Sequence, residues 1–115
     1  NIVNREVIEA LGPDGILVNI ARGTLVDESA LIKALKEKRI LTAALDVFAD
    51  EPRVPPELMA MDHVILLPHV GSASQHTRNA MSQLVIDNLL AWADGNDVLT
   101  PIAETPWRRS PRQNA

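Results

Sequence analysis

The chain has 115 residues, of which 46% are hydrophobic and 23% are charged, a composition typical of one globular domain. The formal net charge of −4 argues against general binding to nucleic acid or to a membrane surface, although WRRSPRQNA (107–115) is locally basic. The absence of cysteines excludes disulfides and thiolate metal sites, and it fits a reducing compartment. No stretch approaches the roughly 20 apolar residues that a membrane-spanning helix needs.

The first part of the chain predicts two short helices separated by a strand. Asn4 is placed to cap the first helix, which ends at Gly12-Pro13. The run GILVNIA (15–21) is continuously apolar except for one asparagine, which predicts a strand covered on both faces. Asp27 is placed to cap the second helix.

The second part predicts two more strands and a long helix. The run LTAALDV (41–47) predicts the second strand, and the proline-rich DEPRVPPELMAMD (50–62) predicts a loop after it. The run HVILLPH (63–69) predicts the third strand. A helical stripe of apolar residues then runs from about Ser74 to a stop at Gly95.

The order strand, helix, strand, loop, strand, helix predicts an α/β fold with a parallel sheet and helices packed on it. Three strands make a small sheet, so we expect further strands beside it. Residues 96–115 have three prolines and no apolar periodicity, which predicts a tail.

Polar side chains stand at or just beyond the carboxyl end of each predicted strand. Arg22 follows the first strand, Asp46 ends the second with Glu51 in the loop after it, and His69 ends the third. The carboxyl ends of parallel strands lie at one edge of the sheet, so we expect these residues to converge there. A guanidinium can hold a carboxylate in a bidentate geometry, and an imidazole beside a carboxylate can give or take a proton. The set therefore suits a reaction on a small acid with a carbonyl or hydroxyl beside its carboxylate.

Each of these residues also has a purely structural interpretation. Arg22 fits a surface arginine in a turn, and Glu51 fits a solvated carboxylate in a loop. Asp46 fits a cap of the turn after its own strand. We interpret His63 and His76 as structural, because His63 opens a strand away from this edge and His76 lies in the first turn of a helix.

Other kinds of site have weaker support. A Ser-His-Asp hydrolase could be built from Ser72 or Ser74, but the chain contains no G-x-S-x-G motif. No His-x-x-x-His pair or dense carboxylate cluster suggests a metal site.

Three motifs, in this order and spacing, resemble the D-isomer-specific 2-hydroxyacid dehydrogenase family. They are VNIARGTLVDESAL (18–31), AALDVFADEP (43–52) and LLPHVGSAS (66–74), and the resemblance extends to about Pro101. It implies that residues 1–95 are the C-terminal half of a Rossmann-type, doubly wound cofactor domain, with 96–115 as a tail. The long helix would lead toward a substrate domain. The family's glycine-rich dinucleotide motif and most of its substrate domain have no counterpart in this segment.

The resemblance also implies roles for individual residues. Arg22 matches the arginine that binds the substrate carboxylate and carbonyl, His69 matches the acid/base catalyst, and Glu51 matches the glutamate paired with that histidine. Asp46 would hold the nicotinamide carboxamide, and Gly71 would let the backbone pass close to the cofactor. The implied cofactor contacts are Ile20, Ala21, Arg22, Asp46, His69, Val70, Gly71 and Ser72.

The implied activity is hydride transfer between NAD or NADP and a small 2-keto or D-2-hydroxy acid. Residues 76–96 look closest to glyoxylate/hydroxypyruvate reductases. Glu51 argues against a resemblance to formate dehydrogenases, in which the matching position is a glutamine. The alternative is a dinucleotide-sensing binding module, since the fold and the three site residues also resemble those of a transcriptional corepressor that senses dinucleotide. We also expect a cytoplasmic homodimer with no nucleic-acid or membrane partner, and we expect this segment to be inactive by itself.

Overall fold

The computed structural model describes residues 2–104, which divide into two units at the junction between Gly71 and Ser72. In chain order the elements are α1 (Arg5–Ala10), β1 (Ile16–Asn19), a 3-10 turn (Gly23–Leu25), α2 (Glu28–Lys36), β2 (Thr42–Leu45), α3 (Pro56–Met59), β3 (Ile65–Leu66) and α4 (Gln75–Asp94). The first unit contains the sheet with its helices, and the second contains α4.

The three strands form one parallel sheet in the order β1-β2-β3, which confirms the predicted α/β architecture. Asn19 pairs with Leu45, and Leu45 pairs in turn with Leu66. The strands therefore end at nearly the same level, and the loops that follow them leave the sheet from one edge.

The predicted caps of the two short helices are confirmed. The Asn4 side chain accepts a hydrogen bond from the Val7 N–H, and the Asp27 side chain accepts one from the Ala30 N–H. Each cap satisfies a helix N–H that has no partner within the helix. Both helices are therefore stabilised at their N-terminal ends.

The core lies on one face of the sheet. Its buried members are Ile8, Leu17, Val26, Leu31, Ala34, Leu35, Ile40, Ala43, Leu45, Phe48 and Leu58. On the other face, Ile16 and Val18 of β1 and Ile65 of β3 are 55%, 62% and 61% exposed. The expectation that β1 is covered on both faces is thus not met, because its side chains alternate between a packed face and an open one.

Two local predictions are corrected. The proline-rich stretch contains the short helix α3, since a proline is favoured in the first turn of a helix, and Leu58 is fully buried there. The third strand comprises Ile65–Leu66 only, not 63–69. Pro68 has no N–H for the sheet. His69 has a left-handed backbone with φ 54°, so it lies in a loop beyond the strand.

The second unit is built on α4, whose predicted ends are confirmed. Ser74 caps it by accepting from the Thr77 N–H, and Gly95 ends it with φ 87°. Residues 96–104 form no helix or strand, whereas 105–115 of the predicted tail lie outside the described residues. Within 2–104, no helix combines the length and apolarity needed to cross a membrane. The domain boundary at residue 95 stays a prediction.

Replacing Leu31 by alanine should lower the free energy of unfolding by about 2–5 kcal/mol, because truncating a buried leucine leaves a cavity. Leu31 is 1% exposed. Lys33→Ala on the same helix is the control, since the Lys33 side chain is 61% exposed, and it should change stability by less than about 0.5 kcal/mol. Urea unfolding followed by circular dichroism measures both. Equal losses from the two variants would contradict the packing of α2.

Candidate active site

Arg22 lies in an exposed loop after β1, and Asn19 fastens this loop to the strand. The Asn19 side chain is buried, with 6% of the residue exposed. Its Nδ2 donates to the Arg22 carbonyl (3.0 Å), and its Oδ1 accepts from the Ala21 N–H (3.1 Å). Arg22 Nη1 donates to the Ala21 carbonyl at 2.6 Å. A guanidinium has five N–H donors, so the others can contact a ligand.

Gly23 allows the loop after β1 to contact the loop after β2. A Cβ atom on Gly23 would lie 2.0 Å from the carbonyl carbon and oxygen of Phe48 and 2.5 Å from the nitrogen of Ala49. No side chain fits at that distance, so the position requires glycine. This contact brings the backbone next to Arg22 up to the segment that leads to Glu51.

Glu51 and His69 form a hydrogen-bonded pair that joins the loops following β2 and β3. Glu51 Oε2 lies 2.7 Å from His69 Nδ1, and Glu51 Oε1 accepts from the Phe48 N–H at 3.0 Å. Both carboxylate oxygens are therefore held. A carboxylate is an acceptor, so Nδ1 carries the proton in this pair. Nε2 is then the ring nitrogen that can exchange a proton with a ligand.

The environment of Glu51 lowers its pKa. The hydrogen bond from His69 is the main cause, followed by the Phe48 N–H, and the positive charges of His69 and Arg22 act in the same direction. Partial burial opposes them and is outweighed. Glu51 is thus ionised at neutral pH. Glu51 and His69 thus meet in space, and Arg22 lies in the loop after the neighbouring strand β1, at the same edge of the sheet.

Asp46 fastens the loop that carries His69. It is 4% exposed, and its two carboxylate oxygens accept from the Val70 N–H (2.7 Å) and the Gly71 N–H (2.8 Å). These charge-assisted bonds hold the backbone directly after His69, whose left-handed conformation is unfavourable for a residue with a side chain. Asp46 therefore binds the loop after β3 and does not cap the turn after its own strand.

The remaining predicted cofactor residues lie around these contacts. Ile20 is 76% exposed in the loop after β1, and Val70 is 39% exposed. A Cβ on Gly71 would lie 3.1 Å from Asp46 Oδ2, so a tight approach to Asp46 is the local reason for glycine there. Ser72 is the first residue of the second unit. The cofactor roles of these residues stay predictions.

The competing kinds of site gain no support from the described residues. The hydroxyl of Ser74 accepts from the Thr77 N–H and donates to the Thr77 hydroxyl, so it is engaged in capping α4. Among residues 2–104 there is no group of three or more His, Cys, Asp or Glu side chains that could hold a metal ion.

Sequence reasoning missed Asn19, Gly23 and the Phe48 N–H. Asn19 had a signal, because it is the one polar side chain within the apolar run GILVNIA. A polar residue in a buried strand must find partners, and here the partners are loop backbone groups. Gly23 and Phe48 had no such signal, since their roles depend on which loops meet in space.

The chain matches known sequences over most of its length. The sequence profile of the D-isomer specific 2-hydroxyacid dehydrogenase family, NAD binding domain, matches residues 1–71. The chain is 56% identical over 102 residues to a glyoxylate/hydroxypyruvate reductase A of Arabidopsis thaliana, covering 89% of this chain and 33% of that protein. It is 49% identical over 102 residues to a 2-ketogluconate reductase of Gluconobacter oxydans, again covering 89% and 33%.

A solved structure shows the same fold. The NADPH-dependent glyoxylate/hydroxypyruvate reductase of Sinorhizobium meliloti, crystallised with citrate, superposes with a TM-score of 0.91 and 56% identity. The match covers 94% of this chain and 34% of that one, and the same enzyme has been solved with NADP and malonate. This chain therefore spans about one third of the length of these relatives.

Replacing His69 by alanine should raise the pKa of Glu51 toward its ordinary value, because the largest cause of the lowering is removed. A titration of the Glu51 side-chain carbon by NMR measures this, with His63→Ala as the control that leaves it unchanged. Since the folded-state pKa is lowered, Glu51 stabilises the fold above the ordinary carboxyl range, and this contribution is lost as pH falls through the lowered value. The stability difference between wild type and Glu51→Gln should accordingly shrink in acid. An unchanged Glu51 titration in His69→Ala would contradict the hydrogen bond between Glu51 and His69.

Proposed function

The chain belongs to the D-isomer specific 2-hydroxyacid dehydrogenase family, and we propose that the whole protein is an NAD- or NADP-dependent reductase of small 2-keto acids such as glyoxylate and hydroxypyruvate. The observation that carries the proposal is the 2.7 Å contact between Glu51 and His69, with Arg22 in the loop after β1 at the same edge of the sheet. An arginine and a carboxylate-bound histidine at one edge are the groups that this reaction requires. The names of the relatives support the same substrate class.

The residues at this edge fit a nicotinamide group. Each oxygen of Asp46 accepts one backbone N–H and has a second lone pair, which suits a carboxamide NH₂ donor. Ile20 and Val70 offer exposed apolar side chains for a flat ring. A reduced nicotinamide bound here would supply a hydride for the carbonyl carbon of the substrate.

Arg22 would bind and orient the substrate. Its guanidinium is exposed and always charged, and a guanidinium matches a carboxylate with two parallel hydrogen bonds. In this role Arg22 would hold the substrate carboxylate, with a further N–H directed to the neighbouring carbonyl oxygen. The positive charge would stabilise the negative charge that develops on that oxygen.

His69 would act as the acid/base catalyst through Nε2. In reduction, its N–H bond breaks as the proton passes to the carbonyl oxygen, and a 2-hydroxy acid forms; in oxidation the proton returns. Glu51 holds Nδ1 at 2.7 Å and so fixes the orientation of the ring. The ionised Glu51 also compensates the charge of the protonated imidazole.

We further propose a homodimer that works in the cytoplasm, without a nucleic-acid or membrane partner. The absence of cysteines supports a reducing compartment, and the net charge of −4 argues against polyanionic partners. Several large apolar residues of α4 are exposed, including Leu84, Val85 and Leu89, which supports association with another surface. Light scattering of the whole protein tests the dimer.

Turnover of glyoxylate and hydroxypyruvate, measured with NADH and with NADPH, tests the activity. We expect reduction of at least one of these acids with one of the cofactors. Tight dinucleotide binding without turnover of any 2-keto acid would favour the dinucleotide-sensing module instead.

In the whole protein, His69→Ala should lower kcat by roughly 100-fold or more, the usual contribution of a general acid. His63→Ala is the matched control and should leave kcat unchanged, because His63 is outside the proposed site. Steady-state kinetics with saturating cofactor measures both. Full activity of His69→Ala would mean that another group supplies the proton.

Replacing Arg22 by alanine should raise KM for the 2-keto acid and also lower kcat, because a carboxylate clamp acts in both the bound complex and the transition state. Arg53→Ala is the control, since Arg53 is an exposed arginine that pairs with Asp50. The same assay applies. If Arg53→Ala changed KM and kcat as much as Arg22→Ala, the result would contradict the proposal that Arg22 binds the substrate carboxylate.

A further inference from the structure

We propose that Asn19 is a positioning residue that sets the backbone from which Arg22 reaches the substrate, an inference that rests on the proposed role of Arg22. Asn19 ends β1 and is 6% exposed, so its amide sits beneath the loop and away from solvent. Both halves of this amide bind loop backbone, Nδ2 at the Arg22 carbonyl and Oδ1 at the Ala21 N–H. Asn19 therefore acts through Arg22 and does not itself reach a ligand.

Besides the Asn19 amide, the Leu25 N–H donates to the Arg22 carbonyl at 3.2 Å, and the side chains of the loop add little. Ile20, Ala21 and Arg22 are all exposed, so burial of their side chains contributes little to fixing the loop. Directly downstream, Gly23 is buried against the backbone of Phe48. The loop is thus fastened at both ends, by the Asn19 amide before it and by the Gly23 contact after it.

A small displacement of this loop would reduce catalysis. Misplacing a substrate-positioning group by about 1 Å can cost roughly 100-fold in rate. Because the proposed clamp binds substrate and transition state, its displacement would change KM and kcat together. Loss of folded enzyme would instead lower kcat and leave KM unchanged, so the two explanations have different signatures.

Asn19→Leu keeps nearly the same shape and removes both hydrogen bonds. Asn19→Ser keeps a hydroxyl that can accept from the N–H two residues later, and so preserves one of the two bonds. Asn88→Leu is the matched control, because the Asn88 amide also binds backbone groups, the Leu84 carbonyl and the Thr100 N–H, but in the second unit. Kinetics with glyoxylate and amide hydrogen exchange at Ala21 are measured on the whole protein.

In Asn19→Leu we expect KM for glyoxylate to rise roughly tenfold or more, kcat to fall, and the Ala21 amide to exchange faster. Asn19→Ser should lie between this variant and wild type, and Asn88→Leu should match wild type in both readouts. A KM within about twofold of wild type in Asn19→Leu, or an unchanged exchange rate at Ala21, would overturn the proposal.

Two further results have distinct meanings. If circular dichroism shows that Asn19→Leu does not fold, Asn19→Ser decides, and a wild-type KM for that variant overturns the proposal. If the wild-type protein reduces no 2-keto acid, the proposed function fails. The exchange rate at Ala21 then decides separately whether Asn19 fastens the loop: faster exchange in Asn19→Leu supports this, and unchanged exchange overturns it.

Discussion

Two buried polar side chains, Asn19 and Asp46, connect the sheet to the loops of the candidate site. A polar group buried without a partner costs free energy, so each must find hydrogen bonds close to where its strand ends. Asn19 finds them in the loop after β1, and Asp46 finds them in the loop after β3. Within residues 2–104, no buried side-chain nitrogen or oxygen lacks a hydrogen-bond partner. The rigid sheet thereby determines the position of exposed loops that have little packing of their own.

The proposed chemistry follows from this arrangement. The parallel register brings the ends of the strands to one edge, and the close contact at Gly23 draws two of the loops together. The hydrogen bond between Glu51 and His69 then joins the second loop to the third. These contacts join residues that are 18 or more positions apart in sequence, so the loops come together only when the chain folds.

Much of the fold could be predicted from the sequence because its signals are local. The caps at Asn4 and Asp27 depend on neighbouring residues only and form as predicted, and α4 begins after Ser74, where its start was expected. Strand lengths were overestimated, because where pairing stops depends on the neighbouring strand. The helix α3 was missed, because the same prolines that favour a loop also favour the first turn of a helix.

The candidate site was only partly predictable from the sequence. The type and position of Arg22, Glu51 and His69 indicated where they would meet, and the family resemblance implied their roles. The supporting contacts could not be predicted, because the Asn19 amide and the Phe48 N–H acquire their partners only when the loops fold. Asp46 was expected at the cofactor, and its bonds to the loop after β3 came from the structure alone.

The proposed reaction requires that Arg22 hold the substrate carboxylate while His69 Nε2 faces its carbonyl oxygen. A crystal structure of the whole protein with cofactor and oxalate, a non-reducible mimic of a 2-keto acid, tests this directly. We predict that one oxalate carboxylate contacts the Arg22 guanidinium and that another oxygen lies roughly 2.6–3.2 Å from Nε2. Oxalate bound away from Arg22, or a His69 ring whose Nε2 faces away from the ligand, would contradict the account.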